Sequence, residues 1–142
     1  MVDDDPDDRL LVKEALAECD FDSELRFVQD GVELMDYLFR RDRFSAATDS
    51  PRPVFILLDL NMPKKDGREV LREIKMDPEL KKIPVVVLTT SKADTDISRI
   101  YELGANSFIS KPTAFESLVA VMKAVGKYWF EVVALPTRLN QL

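Results

Sequence analysis

Two stretches of the chain are apolar without interruption and rich in branched side chains, Val54-Phe55-Ile56-Leu57-Leu58 and Val85-Val86-Val87-Leu88. Neither alternates with polar residues. Such strands are buried on both faces, the pattern of a parallel sheet with helices on each side. Ile83-Pro84 leads into the second run, and proline is tolerated where a strand begins. Leu25–Val28 and Ser107–Ile109 carry weaker strand signals. Helical spacing fills the intervals. Asp5-Pro6 opens the first helix, with Asp5 as N-cap and Pro6 at the first helical position. Its apolar positions Leu11, Ala15 and Cys19 recur every four residues. Val32–Phe39 follows Asp30-Gly31. A third helix starts near Gly67, places Val70, Leu71 and Ile74 on one face, and stops near Asp77-Pro78. A fourth covers about Asp94–Leu103, with Ile97, Ile100 and Tyr101 as its inner stripe and Gly104 as its C-cap. The last starts after Pro112 and aligns Leu118, Val121, Met122, Val125 and Trp129. Strand and helix alternate five times, the signature of one doubly wound α/β domain on a five-stranded parallel sheet.

Length and composition agree with one domain: 142 residues, 46% apolar and 32% charged. The net charge of −6 argues against nucleic acid or an acidic membrane surface as partner. A single cysteine, Cys19, rules out an intramolecular disulfide and reads as a small buried apolar residue in a reducing compartment. There is no histidine, which removes His-ligated metals, Ser-His-Asp catalysis and an internal phosphohistidine. No run approaches the ~20 apolar residues that span a bilayer. Met1-Val2 leads straight into acid, unlike a signal peptide. The expectation is a soluble cytoplasmic protein. Asp42–Pro53 is the clearest loop or insertion.

In a doubly wound sheet, ligands sit beyond the carboxyl ends of the strands. Those ends carry Asp3-Asp4-Asp5, then Asp59-Leu60-Asn61, then Thr89-Thr90-Ser91, then Ser110-Lys111-Pro112. Carboxylates, hydroxyls and one ammonium at one edge suit a hard cation and a phosphoryl group. Mg²⁺ prefers oxygen ligands; Asp3, Asp4, Asp59 and a backbone carbonyl near Asn61 can supply them. A carboxylate can also act as nucleophile and form an aspartyl phosphate. Phosphoryl transfer then depends on positioning and charge stabilisation, roles that Thr89 and Lys111 fit. Each residue also has a plainer reading: Asp3–Asp5 as a helix cap, Lys111 as a surface lysine before a turn, Thr89 as a β-branched strand residue, Phe108 as core.

The combination of Asp3-Asp4, Leu57–Gly67 (LLDLNMPKKDG), Leu88-Thr89-Thr90-Ser91 and Ser110-Lys111-Pro112 resembles the receiver domain of two-component response regulators, over about Val2–Tyr128. The resemblance implies a flavodoxin-like sheet of strand order 2-1-3-4-5. It implies that Asp59 accepts a phosphoryl group from a phosphohistidine on a sensor histidine kinase. Asp3, Asp4, Asp59 and the Asn61 carbonyl would hold Mg²⁺, and Lys111 would bond the phosphoryl oxygens. Thr89 would swing toward that group and Phe108 would follow it inward as the switch aromatic. The Lys111-Pro112 bond is a candidate cis bond, which the resemblance favours. The run PKKDGREVLREIK, the long loop before Pro53 and the tail YWFEVVALP are similar to the stand-alone regulators of cyanobacterial phytochrome-type kinases. Two features depart from the family. Only Met1 and Val2 precede the acidic cluster, so the first strand is either very short or begins outside this sequence. Phe108 stands where many relatives carry tyrosine.

Residues 1–129 then form the receiver domain and 130–142 a C-terminal extension for docking or dimerisation. The last helix and tail carry Val119, Ala120, Val125, Tyr128, Trp129, Phe130, Val132 and Val133, more apolar surface than one helix of a monomer needs. A homodimer through Val125, Tyr128, Trp129, Phe130 and Val133 is the simplest expectation; the alternative is a tail folded back over its own domain. Two other functions are open to this residue set. A haloacid-dehalogenase-type phosphatase shares the aspartyl phosphate but resembles a D-x-D pattern, where this chain has Asp59-Leu60-Asn61. A receiver-like scaffold without phosphorylation usually lacks some of the acids or the lysine.

Overall fold

The computed structural model describes residues 1–19, 24–41, 52–62, 64–90 and 94–135. Three parallel strands form the sheet among them: β1 (Ile56–Leu58), β2 (Val85–Thr89) and β3 (Ser107–Ser110), in the order β1-β2-β3. Ile56 lies opposite Val85, and Val87 opposite Phe108. Both apolar runs form strands, the first only over Ile56–Leu58, with Val54 and Phe55 half-buried ahead of it. Ile56, Leu58, Val85 and Val87 face one buried cluster, while Leu57, Val86 and Leu88 face another. Burying each such side chain contributes about 2 kcal/mol.

The expected five-stranded sheet is corrected to three strands and two isolated bridges. Val2 bridges Leu58 on one side and Val28 on the other, both in parallel sense. Val2 N–H donates to the Leu57 carbonyl at 2.8 Å, and Asp59 N–H donates to the Val2 carbonyl at 3.0 Å. The lateral order Val28, Val2, β1, β2, β3 is therefore the one expected. Beside Val2, Val28 N–H donates to the Met1 carbonyl at 3.0 Å and Asp3 N–H donates to the Val28 carbonyl at 3.2 Å. On the outer side only Val28 of the 25–28 segment pairs in this way.

Helices cover both faces: α1 (Pro6–Ala17), α2 (Gly31–Leu38), α3 (Gly67–Met76), α4 (Asp94–Glu102) and α5 (Phe115–Gly126). Their starts are chemically marked. Asp5 accepts from Asp7 N–H at 2.9 Å and Pro6 opens α1, as expected. Asp30 accepts from Glu33 N–H at 2.9 Å, and Glu33 reaches back to Gln29 N–H at 3.1 Å, a variant of the capping box. Asp66 caps α3 through Arg68 N–H at 2.8 Å. Gly104 ends α4 at φ 105°, where a side chain would be strained.

The inner stripe of α1 differs by one position from its expected register. Val12, Ala15 and Cys19 are buried, whereas Leu11 is exposed. Leu10, Leu11 and Val12 are adjacent apolar residues, so spacing alone left the inward face ambiguous. Packing of α1 against α5 resolves it, with Val12 and Ala15 in the cluster that holds Leu118 and Met122. On α4, Ile100 is fully buried but Tyr101 is half-exposed, its hydroxyl accepting from Phe108 N–H at 3.1 Å. The Lys111–Pro112 bond is trans, as no described residue has a cis peptide; an X–Pro bond still prefers trans by about 0.5–1 kcal/mol.

The tail continues α5 as a wide helical turn over Lys127–Val132, closed by Val133 N–H donating to the Tyr128 carbonyl at 3.1 Å. Trp129 stacks on Phe55 at 5.9 Å between ring centroids, and Phe130 packs on the same ring at 5.4 Å. Leu135 is completely buried. Much of the apolar surface assigned to a partner is thus covered by the chain's own domain. Val125 in particular lies in the core rather than on a surface. Tyr128 and Val132 remain exposed. The Asp42–Pro53 loop is described only at Arg52 and Pro53, and the extension only to Leu135. Among the described residues no helix is long and apolar enough to cross a membrane.

Candidate functional site

Asp59 follows β1 directly, so the strand that buries Ile56, Leu57 and Leu58 carries a carboxylate to the edge of the sheet. The turn after it is held tightly. Gly67 N–H donates to the Leu60 carbonyl at 3.0 Å. A Cβ at Gly67 would lie 2.5 Å from the Asp59 carbonyl oxygen and 2.8 Å from Leu60 Cα, so only glycine lets α3 begin this close. Asp3 arrives beside Asp59 through the Val2 bridges, and its backbone N–H donates to the Val28 carbonyl at 3.2 Å. Asp5 N–H donates to Asp3 Oδ1 at 3.0 Å and Arg9 Nη1 to the Asp3 carbonyl at 2.7 Å. The single-residue first strand is therefore enough to place the acid.

One carboxylate oxygen each from Asp3, Asp4 and Asp59 lies within 4.8 Å of the others. Asp3 and Asp59 are buried and Asp4 is exposed. An all-oxygen set of three acids with one face open to solvent suits a hard divalent cation that keeps waters. Burial pushes the Asp59 carboxyl above its ordinary value, and although Lys111 pulls it down, the Asp3 carboxylate raises it further.

Lys111 enters from the turn after β3, its N–H donating to the Thr89 carbonyl at 2.7 Å. Its ammonium Nζ stands 2.9 Å from Asp3 Oδ2 and 2.9 Å from Asp8 Oδ2. Burial disfavours this charge, but the bonds to Asp3 and Asp8 outweigh it and hold the ammonium above its ordinary pKa. Thr89, at the end of β2, is completely buried. Its hydroxyl is close enough to favour the Asp59 carboxylate slightly, yet it makes no hydrogen bond of ordinary geometry. A buried hydroxyl without a partner costs roughly 1–3 kcal/mol. An acceptor group added to Asp59 would offer it one.

The structure brings Asp3, Asp4, Asp59, Thr89 and Lys111 to one edge. Asn61 lies two residues past Asp59 with its side chain exposed, and its backbone contributes a hydrogen bond that favours the Asp59 carboxylate. Phe108 is half-buried against the cluster that holds Val85 and Ile100. Val125, Trp129 and Phe130 are not at this edge but in the α5 layer with Phe55. Ser91 lies outside the described residues. Sequence reasoning missed Asp8. A second acid in the first turn of α1, after Asp7, reads as a complement to the helix dipole, and nothing in its spacing marks it as a partner of Lys111. Arg68 was missed likewise: it joins α3 to α4 through Asp96, Nη2 to Oδ1 3.0 Å.

The model of the response regulator receiver domain matches residues 1–123. The chain belongs to that family. Receiver domains take phosphoryl groups from histidine kinases in two-component systems and bind a divalent metal at their acidic pocket. This receiver is 44% identical to response regulator Rcp1 of Synechocystis sp. over 136 residues, 96% of this chain and 90% of that protein. A crystal structure of the Mn²⁺-bound form of Rcp1 superposes with a TM-score of 0.86, covering 95% of each chain. The phosphorylated form of RcpA, a cyanobacterial phytochrome response regulator, is 45% identical with a TM-score of 0.88, covering 95% of this receiver and 94% of that chain. A response regulator in red light signalling of R. palustris is 34% identical with a TM-score of 0.89, over 95% of each chain. This receiver is thus related to phytochrome response regulators and has the flavodoxin-like fold of its family.

Proposed function

We propose that Asp59 accepts a phosphoryl group from a phosphohistidine of a phytochrome-type sensor kinase in a Mg²⁺-dependent reaction. The observation that carries this reading is a buried Asp59 carboxylate at a strand end, with Asp3 and Asp4 beside it, the Lys111 ammonium at Asp3 and an unpartnered Thr89 hydroxyl close by. A carboxylate oxygen of Asp59 attacks phosphorus as the bond from phosphorus to the donor imidazole nitrogen breaks. The electron pair leaves with the imidazole, which becomes neutral on taking a proton. Asp3, Asp4, Asp59 and the Asn61 carbonyl would hold Mg²⁺, which supplies compensation for the crowded negative charge. Lys111 then bonds a phosphoryl oxygen, and Thr89 Oγ1 gains the partner it lacks. These 142 residues hold no histidine, which supports a donor phosphohistidine outside them.

The phosphorylated site favours one of two states rather than building a new fold. Thr89 moves toward the phosphoryl group, Phe108 fills the vacated space, and the face formed by α4, β3 and α5 changes shape. Tyr101 ties α4 to Phe108, and Arg68 ties α3 to α4, so motion at the strand ends reaches α4. Residues 1–129 act as the receiver and 130–142 as an extension that meets a second copy. The face carries Tyr128, with Trp129, Phe130 and Val133 at its rim and Val125 supporting it from the core. Sedimentation of the wild type is expected to give a dimer and of Tyr128→Asp a monomer; equal masses would discard this interface.

Mg²⁺ dependence is tested by intact mass. Incubation with acetyl phosphate and Mg²⁺ is expected to add one phosphoryl group to most molecules. Chelating the metal is expected to slow the reaction by about a hundredfold, the order lost when one stabilising group leaves a site of this kind. Labelling that proceeds equally under chelation would remove the metal from the reading.

A further inference from the structure

Asp8 takes part in the site without being at a strand end. Its place is fixed by the start of α1: Asp5 caps the helix, Pro6 sets the first turn, and Asp8 follows as the third helical residue. Its neighbour Asp7 is exposed to water, as an acid answering a helix dipole should be. Asp8 instead reaches the half-buried Lys111 ammonium at the same 2.9 Å as Asp3 does. An ammonium has three protons to donate. Two are committed here, one to each carboxylate.

We propose that Asp8 is a positioning residue that shares Lys111 with Asp3 and restrains it from the phosphoryl group, so that Asp8 sets how strongly the phosphorylated state is held. This rests on the reading of Asp59 as phosphoacceptor. A phosphoryl oxygen on Asp59 can take the third proton of Lys111 only by drawing the ammonium from its place between Asp3 and Asp8. Asp3 is fully buried and fixed by Asp5 N–H and Arg9, so it stays. Asp8 is the more exposed of the two partners, its side chain 30% accessible, and water can replace Lys111 there. It is the bond that gives way. Removing the Asp8 charge while keeping its shape loosens that hold before the phosphoryl group arrives.

Binding of beryllofluoride, a stable mimic of the phosphoryl group on a carboxylate, is measured by ¹⁹F NMR in saturating Mg²⁺. Asp8→Asn is expected to bind about threefold tighter than wild type, the scale of one partly exposed ion pair. Asp8→Glu is expected to return to the wild-type affinity. Asp7→Asn removes an equal charge one residue away without touching Lys111, and is expected to leave affinity unchanged. Equal affinity in Asp8→Asn and wild type, or weaker binding in the variant, would overturn the proposal. So would an equal gain in Asp7→Asn, since a diffuse field would then explain both. Failure of the wild type itself to bind beryllofluoride would instead refute Asp59 as phosphoacceptor, and the role of Asp8 with it.

Discussion

Asp59→Asn is expected to abolish phosphoryl labelling and to make the folded domain more stable. The two effects share a cause. Asp59 is buried beside Asp3, and its ionised form is disfavoured enough to raise its pKa. Below the ordinary value of 3.8 the group is protonated in the folded and unfolded protein alike. Between that value and the raised one, the folded protein holds more protons than the unfolded chain, so stability falls as pH rises. The penalty grows until the folded carboxyl is fully ionised. An amide of the same shape removes it, with a gain of about 1 kcal/mol or more. Thermal melts of both proteins from pH 3 to pH 8 check this. The curves should diverge as pH rises, and Mg²⁺ should narrow the gap by stabilising the wild type more. Curves that stay parallel would mean that Asp59 is not under electrostatic strain.

Lys111→Met is expected to act in the opposite direction on stability and in the same direction on labelling. Methionine keeps the apolar stem and removes the ammonium. Asp3 is completely buried and would lose its cation, while Asp8 could turn to water. Breaking a buried pair by removing one partner costs roughly 3–5 kcal/mol. The partly exposed Asp8 puts this case near the lower end. The elevated Lys111 pKa gives the sign of the pH dependence: its contribution is complete below 10.5 and is lost as pH climbs through the higher folded value. Labelling by acetyl phosphate should fall about a hundredfold, as when one charge-stabilising donor is removed. Denaturant unfolding and a labelling time course on one preparation read both effects. A variant that loses stability but labels at the wild-type rate would confine Lys111 to structure.

The chemistry at the strand ends was legible because burial writes itself into sequence. Five apolar residues before Asp59 and four before Thr89 announce two strands, and the polar residues that follow must lie at an edge. Lys111 was legible through Ser107–Ile109. Less could be read where only contact decides. Asp8 looks like any acid in a first turn until α1 is docked beside β3. Leu10, Leu11 and Val12 offer several inner faces, and packing on α5 selects the one with Val12. The tail shows the same limit. Its apolar residues declare that something covers them, but not whether a partner does so; Phe55, which stacks with Trp129 and packs on Phe130, lies more than seventy residues away in the chain. The first two strands, weakly marked in the sequence, are present as the bridges of Val2 to Val28 and Leu58, and these bring Asp3 beside Asp59.

Asp59 as phosphoacceptor is tested most directly by locating the phosphoryl group. Borohydride reduction after acetyl phosphate and Mg²⁺ treatment converts an aspartyl phosphate to homoserine, which peptide mass mapping identifies by position. Homoserine at residue 59 alone, and its absence from Asp59→Asn, is the expected result. Homoserine at Asp3 or Asp4, or an unmodified Asp59 in protein shown to be folded, would contradict it.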